Sequence, residues 1–369
     1  MRVFTLQGQS VTESAEVPAV LPAQGFVWLA LERSEFEARV PELQRVLAAL
    51  CGVQLVDLHV SDLLNAQLPS HYDYTDQYDL LVFRRLAAAR ADAPARAAVG
   101  AARKDVKGGP PVLHRIDTSA VGFVVLDRVL LSVHPSDCTV RDTYADRLLA
   151  ANPADNRPAL SRSMPASPAD LMLRVVSLVV DAYLDLRREL TRQLDHWQAE
   201  LLHPRTRFKQ WDRLLQARLS LHQLDEICED QRSAIAAWTE SLESLPTQDA
   251  EAHRAVDLLK VRSRDVLEHI ERVVHHVRRL EQTAETSVQI HFSLQGNRTN
   301  DIMRTLTALT AVFLPLNLIA GIFGMNFEFI PLVHKQDGFW WAMGSMTTIA
   351  VGLTVFFWRK RYMARTAQD

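Results

Sequence analysis

The sequence is short of the residues that build disulfide-rich, metal-stapled or nucleic-acid-binding proteins. It has 3 cysteines among 369 residues, at positions 51, 138 and 228. An odd and scattered set of thiols excludes a disulfide framework and a zinc knuckle, and it fits a reducing compartment. Acidic and basic residues are nearly balanced, since the formal net charge is −3. The chain therefore lacks the basic balance of a nucleic-acid-binding protein, and we expect no nucleic-acid partner.

Motifs of catalysis are also missing from the sequence. It contains no Walker phosphate loop, no Gly-x-Ser-x-Gly elbow and no His-Glu-x-x-His zinc motif. The neighbouring His275 and His276 would point about 100° apart on a helix, which disfavours joint chelation of a metal. We therefore expect a protein that is not an enzyme and has no bound cofactor.

Two stretches near the C-terminus lack charge altogether. Residues 305–327 and 338–358 contain no Asp, Glu, Lys or Arg. About 20 mainly apolar residues are enough for a helix to cross the hydrocarbon core of a membrane. The alternative is a pair of buried helices in a soluble domain. Aromatic residues such as Trp340 and Trp358 at both ends of the second stretch favour the membrane, because aromatic belts lie at its interfaces.

Basic residues determine the predicted orientation of these two transmembrane helices. A basic cluster at 359–365 follows the second stretch, Arg298 and Arg304 precede the first, and the loop between the stretches holds only Lys335. The positive-inside rule then puts both termini in the cytoplasm and the loop outside. The first apolar stretch of the chain is short and interrupted, so we expect no signal peptide. The prediction is a multi-pass protein of the inner (cell) membrane.

The residues before the membrane segments predict an α+β domain followed by long helices. Strand patterns occur at 26–31, 78–83 and 121–133, the last a hairpin, and a helical pattern starts at Ser34. After Ser167-Pro168 helical periodicity dominates. The predicted division is a cytoplasmic α/β domain at 1–150, a cytoplasmic helical region at 151–248, a stalk helix at 249–304, a first transmembrane helix at 305–326, an external loop at 327–338, a second transmembrane helix at 339–358 and a basic cytoplasmic tail at 359–369.

The run Phe313–Glu328, FLPLNLIAGIFGMNFE, resembles the CorA family of divalent-cation channels. A Gly-Met-Asn tripeptide that closes the first of two C-terminal apolar helices is specific in this context. The resemblance is strong over residues 300–360 and looser before them. It implies a funnel-shaped homopentamer whose first membrane helix lines a pore and whose second lies outside it. The implied partners are divalent cations, membrane lipid and other copies of the chain.

One face of the first membrane helix matches the pore-lining positions of this family. Steps of three or four residues put its members on the same side of a helix. Leu306 and Leu314 would form hydrophobic rings that gate by dewetting, and Thr310 and Asn317 would supply oxygens between them. Ordinary helix packing is the alternative, because small residues and Leu are common in any membrane helix. The predicted pore-lining set is Asn300, Met303, Leu306, Thr310, Leu314, Asn317 and Gly321.

Gly324, Met325 and Asn326 are the predicted selectivity filter. Mg²⁺ binds oxygen ligands and gives up its waters reluctantly. The neutral amide of Asn326 can bind those waters without holding the ion too tightly to leave. A helix C-cap is the alternative role, since Asn and Gly favour helix ends, and the two roles are compatible. Glu328 and Asp337 are the acids of the predicted external loop.

The sequence therefore predicts a channel for hydrated Mg²⁺ that is driven by the membrane potential and gated by cytoplasmic divalent cation. Relatives commonly have an acid at the position of Leu332. This difference leaves a transporter of Zn²⁺, Co²⁺ or Ni²⁺ on the same scaffold as an alternative function. The large cytoplasmic part leaves a second alternative, a membrane-anchored scaffold or sensor that does not conduct ions. The sequence does not identify the regulatory acids that would sense the ion.

Overall fold

A computed structural model of the chain describes residues 1–8, 10–87, 117–137, 139–150, 164–202, 211–244, 250–325 and 336–359. Contacts divide it into one unit of residues 1–200 and 207–285 and a second unit of 201–206 and 286–369. In chain order the elements are β1 (Arg2–Gln7), β2 (Ser10–Ser14), β3 (Phe26–Glu32), α1 (Arg33–Cys51), α2 (Asp57–Leu64), β4 (His71–Tyr74), β5 (Asp79–Leu86), β6 (Thr118–Val125), β7 (Val129–His134), α3 (Thr139–Ala150), α4 (Pro168–Leu202), α5 (Trp211–Ser244), α6 (Ala250–Phe323) and α7 (Gln336–Arg359).

The first unit is built on a seven-stranded sheet with the order β2-β1-β3-β7-β6-β5-β4. Neighbouring strands are antiparallel except the central pair β3 and β7, which is parallel. The strands predicted at 26–31 and 78–83 and the hairpin at 121–133 are all present. The predicted α+β domain is confirmed.

Both faces of the central strands are covered, and their sequences are mainly apolar rather than alternating, as is typical of strands buried on both sides. Six of the seven residues of β3 and all six of β7 are buried. On one face, Leu29 belongs to a core that includes Phe36 of α1 and Leu63 of α2. On the other face, Trp28 stacks on Phe4 with ring centroids 4.8 Å apart.

Local signals in the sequence start and stop the helices, and the predicted start of α4 at Ser167-Pro168 is among them. The backbone N–H of Glu32 donates to Glu35 Oε2 at 3.1 Å, one half of the capping box that begins α1. Gly52 ends that helix with a left-handed φ of +70°. At the start of α4, the backbone N–H of Asp170 donates to Ser167 Oγ at 3.1 Å.

Buried polar contacts join the sheet to the helices of the same unit. The carbonyl oxygen of Arg84 in β5 accepts a hydrogen bond from Tyr183 of α4 at 3.1 Å and one from Gln231 of α5 at 2.7 Å. Asp170 is 1% exposed and forms ion pairs with Arg174 at 3.3 Å and with Arg262 of α6 at 2.5 Å. These contacts compensate the desolvation of the buried carboxylate and fix the start of α4.

A chain of hydrogen bonds crosses the buried face of β3 and β7. Trp28 Nε1 donates to Ser132 Oγ at 2.8 Å, and Ser132 Oγ lies 2.9 Å from His134 Nε2. Because Ser132 already accepts from Trp28, its own hydrogen can go to His134, which keeps the imidazole neutral. Burial, together with nearby Arg141 and Arg85, lowers the pKa of His134 to about 3.

Gly25 holds a close approach between the loop before β3 and the strand β1. Its φ is +98°, and a Cβ at this position would lie 1.9 Å from the carbonyl oxygen of Leu6. We expect Gly25→Ala to lower the free energy of unfolding of this unit by about 3 kcal/mol, because strained backbone adds to the overlap. The matched control is Gly52→Ala, which has φ +70° and open space around it and should cost about 1 kcal/mol. Equal losses in urea unfolding of the two variants would contradict the packing assigned to Gly25.

His134 makes the stability of the first unit depend on pH. Its folded pKa lies below the ordinary value of 6.5, so the unfolded chain takes up a proton that the folded chain does not. The contribution of His134 to the free energy of unfolding is therefore fully present above about pH 6.5 and is lost as the pH falls below that value. Between pH 7.5 and pH 5 the wild type should lose about 2 kcal/mol more than His134→Asn. Urea unfolding followed by near-ultraviolet circular dichroism measures the difference, and parallel curves for the two proteins would refute it.

Candidate ion pathway

Two helices are long and apolar enough to cross a membrane, judged by length and composition. They correspond to residues 252–323 of α6 and 337–359 of α7. Almost no residue in the most apolar window of either helix is buried against the rest of the chain. Large apolar side chains are exposed on both, among them Leu318 and Trp340. Both predicted membrane segments are therefore helical where the structure describes them, the first as far as Phe323, and the described residues leave both nearly uncovered.

The predicted pore-lining residues form one exposed face of α6. At about 100° per residue they fall within about 120° of the helix circumference. Leu306 is 56% and Leu314 is 68% exposed, whereas Ala308, on the opposite side, is 1% exposed. The full set, all exposed, is Asn300, Met303, Leu306, Thr310, Leu314, Asn317 and Gly321.

The polar groups on this face differ in what they bind. Thr310 Oγ1 donates to the carbonyl oxygen of Leu306 at 2.8 Å, so its hydroxyl hydrogen is used within the helix and its lone pairs stay available. Thr305 and Thr307 donate in the same way, each to the carbonyl four residues earlier. Asn317 has no hydrogen-bond partner among the residues that the structure describes. Asn300, on the same face, lies before the uncharged stretch, so Asn317 carries the side-chain amide within the described apolar part of this face that needs water, an ion or another chain.

Pro315 adds an oxygen that sequence reasoning missed. It lies inside α6 and has no N–H, so the carbonyl of Ala311 loses its usual helical donor. That carbonyl lies in the helix turn between Thr310 and Leu314. The signal in the sequence is a proline within an otherwise regular helical pattern.

The end of α6 tightens at the predicted filter. The backbone N–H of Gly324 donates to the carbonyl oxygen of Ala320 at 2.9 Å, and that of Met325 donates to Ile322 at 3.3 Å. A Cβ at Gly324 would lie 3.0 Å from the oxygen of Ala320. The helix therefore closes with a short turn that favours glycine. Met325 is 50% exposed at this end.

Other predicted site residues lie apart from this turn or outside the described ranges. Asn326 and Glu328 are outside the described residues. Asp337 is exposed in the first turn of α7. Within the described ranges, no three His, Cys, Asp or Glu side chains lie close enough to hold a metal ion. Along the predicted pore-lining face of α6, the described side-chain oxygens are those of Asn300, Thr310 and Asn317, and all are neutral.

Comparisons with known proteins point to one family. A family model described as "CorA-like Mg2+ transporter protein" matches residues 23–361. The chain is 26% identical over 258 residues to the cobalt/magnesium transport protein CorA of Thermotoga maritima, which covers 68% of this chain and 66% of the relative. It is 40% identical over 70 residues to the putative metal ion transporter YfjQ of Bacillus subtilis, which covers 19% of this chain and 22% of that protein. The alignments thus span less than two thirds of these relatives.

Solved structures share the fold over nearly the whole chain. The complete CorA magnesium transporter of Methanocaldococcus jannaschii matches with a TM-score of 0.70 and 16% identity, covering 97% of this chain and 98% of the other. The full-length CmaX protein matches with a TM-score of 0.64 and 17% identity, covering 98% and 97%. The predicted fold class, an α+β domain followed by a long helix and two C-terminal apolar helices, is confirmed by this likeness.

The exposed face of α6 predicts a pattern of labelling from water. In a chain whose native cysteines are replaced, Leu314→Cys should react with a membrane-impermeant thiol reagent in reconstituted vesicles, because its face would line a wet path. Ile319→Cys is the matched control, about 140° away around the helix, and should stay unlabelled in lipid. Mass spectrometry measures the modification. Labelling of Ile319→Cys with no labelling of Leu314→Cys would place the path on a different face.

Proposed function

Because the chain belongs to the CorA family of Mg²⁺ transporter-like proteins, we propose that it is a membrane channel for hydrated divalent cations, with Mg²⁺ as its main ion. Members of this family are inner-membrane proteins with two C-terminal transmembrane helices and a large cytoplasmic domain, and this chain is one of them. The proposal assigns the residues of α6 to the ion path and the first unit to the cytoplasm.

The amide of Asn317 carries the proposal. It is exposed on an apolar helix and has no hydrogen-bond partner within the described ranges, whereas the threonine hydroxyls of that helix segment are bonded to their own backbone. An unpaired amide in hydrocarbon costs several kcal/mol, so this face of α6 needs water or another chain beside it. A water-filled path shared by several copies of α6 meets that need and is also what an ion requires.

The neutral lining suits an ion that keeps its water. Mg²⁺ prefers octahedral oxygen coordination and dehydrates reluctantly. Amide and carbonyl oxygens bind the hydrated ion weakly enough for it to leave, whereas a ring of carboxylates would hold it more tightly. The membrane potential supplies about 4.6 kcal/mol per 100 mV for a divalent ion, so transport needs no ATP. Gly324, Met325 and Asn326 would select the ion at the outer mouth, near the acids Glu328 and Asp337.

The proposal keeps the homopentamer and the domain division predicted from the sequence. One copy of α6 cannot enclose a path, and a closed ring of identical subunits is the usual way to do so. The first transmembrane helix at 305–326 would line the path, and the second at 339–358 would face lipid. Cytoplasmic divalent cation would gate it, through acids that remain unassigned. We also keep the prediction that the protein is not an enzyme, because the described side chains of the path include no acid, base or nucleophile arranged for catalysis.

Cobalt is the second candidate ion. The Thermotoga maritima relative is named a cobalt/magnesium transport protein, and a wet path with neutral oxygens does not by itself reject other hydrated divalent ions. The rates at which Mg²⁺, Co²⁺, Ni²⁺ and Zn²⁺ enter the same proteoliposomes give the order of preference among the four ions. An absence of any flux from correctly inserted protein would instead favour the scaffold or sensor.

Asn326→Ala tests the filter. We expect Mg²⁺ flux into proteoliposomes to fall by at least about tenfold, the value of one hydrogen bond to a charged group. The matched control is Asn297→Ala, which removes the same group from an exposed position of α6 that is not in the predicted path and should conduct normally. If Asn326→Ala carries Mg²⁺ at the wild-type rate and selectivity, the filter assignment is wrong.

A further inference from the structure

The second apolar helix, α7, presents one line of exposed residues along its whole length. The line consists of Trp340, Thr347, Val351, Thr354 and Trp358, which follow one another at steps of three, four or seven and are all exposed. At about 100° per residue they fall within about 60° of the helix circumference. None of the residues in the most apolar window of α7 is buried against the described part of the chain. We call this line the belt face.

The partly buried residues of α7 lie on its other side. Ile349 and Leu353 are two of them, and they lie about 140° to 180° away from the belt face around the helix. Within the described ranges, the chain therefore covers one side of α7 in part and leaves the belt face open. Because members of this family are inner-membrane proteins, the surroundings of an open apolar face are the acyl chains of lipid.

The hydroxyl groups of α7 are satisfied within the helix. Thr347 and Thr354 on the belt face each donate to the carbonyl oxygen four residues earlier, at 2.8 Å and 2.7 Å. Ser345 and Thr348 also donate to carbonyl oxygens of their own helix. In hydrocarbon, polar groups must find their partners inside the protein, and these hydroxyls do so. The belt face thus suits acyl chains, unlike the face of α6 that carries Asn317.

Tryptophan rings mark the two ends of the belt face. Trp340 is 73% and Trp358 is 69% exposed. They are 18 positions apart in the chain, which corresponds to five helical turns and a distance of about 27 Å along the axis. Trp340 packs edge to face against Phe339, with ring centroids 5.6 Å apart. Because indole rings prefer the interface between hydrocarbon and headgroups, the two rings mark the limits of the hydrocarbon core.

Charged residues lie just outside these two rings. Asp337 comes three positions before Trp340, and Arg359 directly follows Trp358. A tilt of the helix would shorten its span across the membrane, so about 27 Å is the thickest core that the two rings can bracket. A typical hydrocarbon core is about 30 Å thick. The belt face is therefore shorter than a typical core.

From this spacing we propose that the belt face contacts phospholipid acyl chains directly and favours lipids that form a thin hydrocarbon core, at most about 27 Å thick. In a thicker core one tryptophan ring would be drawn below the headgroups, or the bilayer would become thinner around the protein. Either change costs free energy for each ångström of mismatch. The inference rests on the transmembrane assignment of α7 in the proposed function, but not on conduction. A helix of a second copy is the competing occupant of the belt face.

Quenching of tryptophan fluorescence by brominated lipid tests the proposal in full-length protein reconstituted into vesicles. Phosphatidylcholines with monounsaturated chains of different lengths compete with the brominated lipid, and X-ray scattering from the same vesicles measures the core thickness of each. Trp28 and Trp238, buried in the first unit, supply a constant background. We expect the tightest binding from lipids whose core is no thicker than about 27 Å. Binding should be at least about threefold weaker where the core exceeds about 33 Å.

Replacing the outer tryptophans should change the preferred thickness. Trp340→Leu combined with Trp341→Leu moves the outer limit of the apolar stretch to Asp337 and keeps Trp358 as the reporter. The preferred core should become about 4 Å thicker, because three further residues each add about 1.5 Å. Phe356→Leu serves as the control, since it removes an exposed aromatic ring of α7 that has no N–H, and it should keep the wild-type preference.

Three results would overturn the proposal. The first is binding that is as tight in a thicker core as in a core of about 27 Å. The second is an unchanged preference in the double variant, or an equal shift in Phe356→Leu. The third is an absence of quenching by brominated lipid, because the belt face would then be covered by another chain. Flux of Mg²⁺ is measured separately in the same vesicles, so a lipid preference without flux would contradict the proposed function alone.

Discussion

Polar groups in a membrane helix must be satisfied without water, and this requirement governs the C-terminal part of the chain. Threonine hydroxyls of α6 and α7 meet it by donating to the carbonyl four residues earlier, as Thr310 and Thr354 do. The apolar side chains around them face outward without cover from the same chain. Against that background the amide of Asn317, which has no hydrogen-bond partner among the described residues, is the exception. The arrangement gives α6 one side suited to lipid and another that needs a polar neighbour.

Sequence patterns predicted the elements more completely than the contacts between them. A continuous apolar run predicted the strand at 26–31, two apolar runs around the polar pair Asp127-Arg128 predicted the hairpin at 121–133, and the pair Ser167-Pro168 predicted the start of α4. Helical spacing also predicted which residues of α6 share a face, since that depends only on the pitch of the helix. The composition of the first unit gave no comparable signal for its buried polar contacts.

Long-range contacts explain what sequence reasoning did not find. Trp28 and Ser132 are 104 residues apart in the chain, yet they share a hydrogen bond. Arg84 and Gln231 are 147 residues apart, so no local spacing indicates the hydrogen bond between them. Pro315 is a local feature of the sequence. It leaves the carbonyl of Ala311 without a helical donor only because the helix continues past the proline, which the structure shows. The pentamer, the domain division and the role of Asn326 remain predictions.

The parallel pairing of β3 with β7 has a consequence for how the chain is made. The strand β3 leaves the ribosome long before β7 exists, because their paired residues are about a hundred positions apart. Until then β3 has an apolar edge without a neighbour, and such an edge invites association with other chains. The sheet can close once β7 has been synthesised, well before the membrane segments emerge. A nascent chain that stalled inside that interval would be the form most in need of a chaperone.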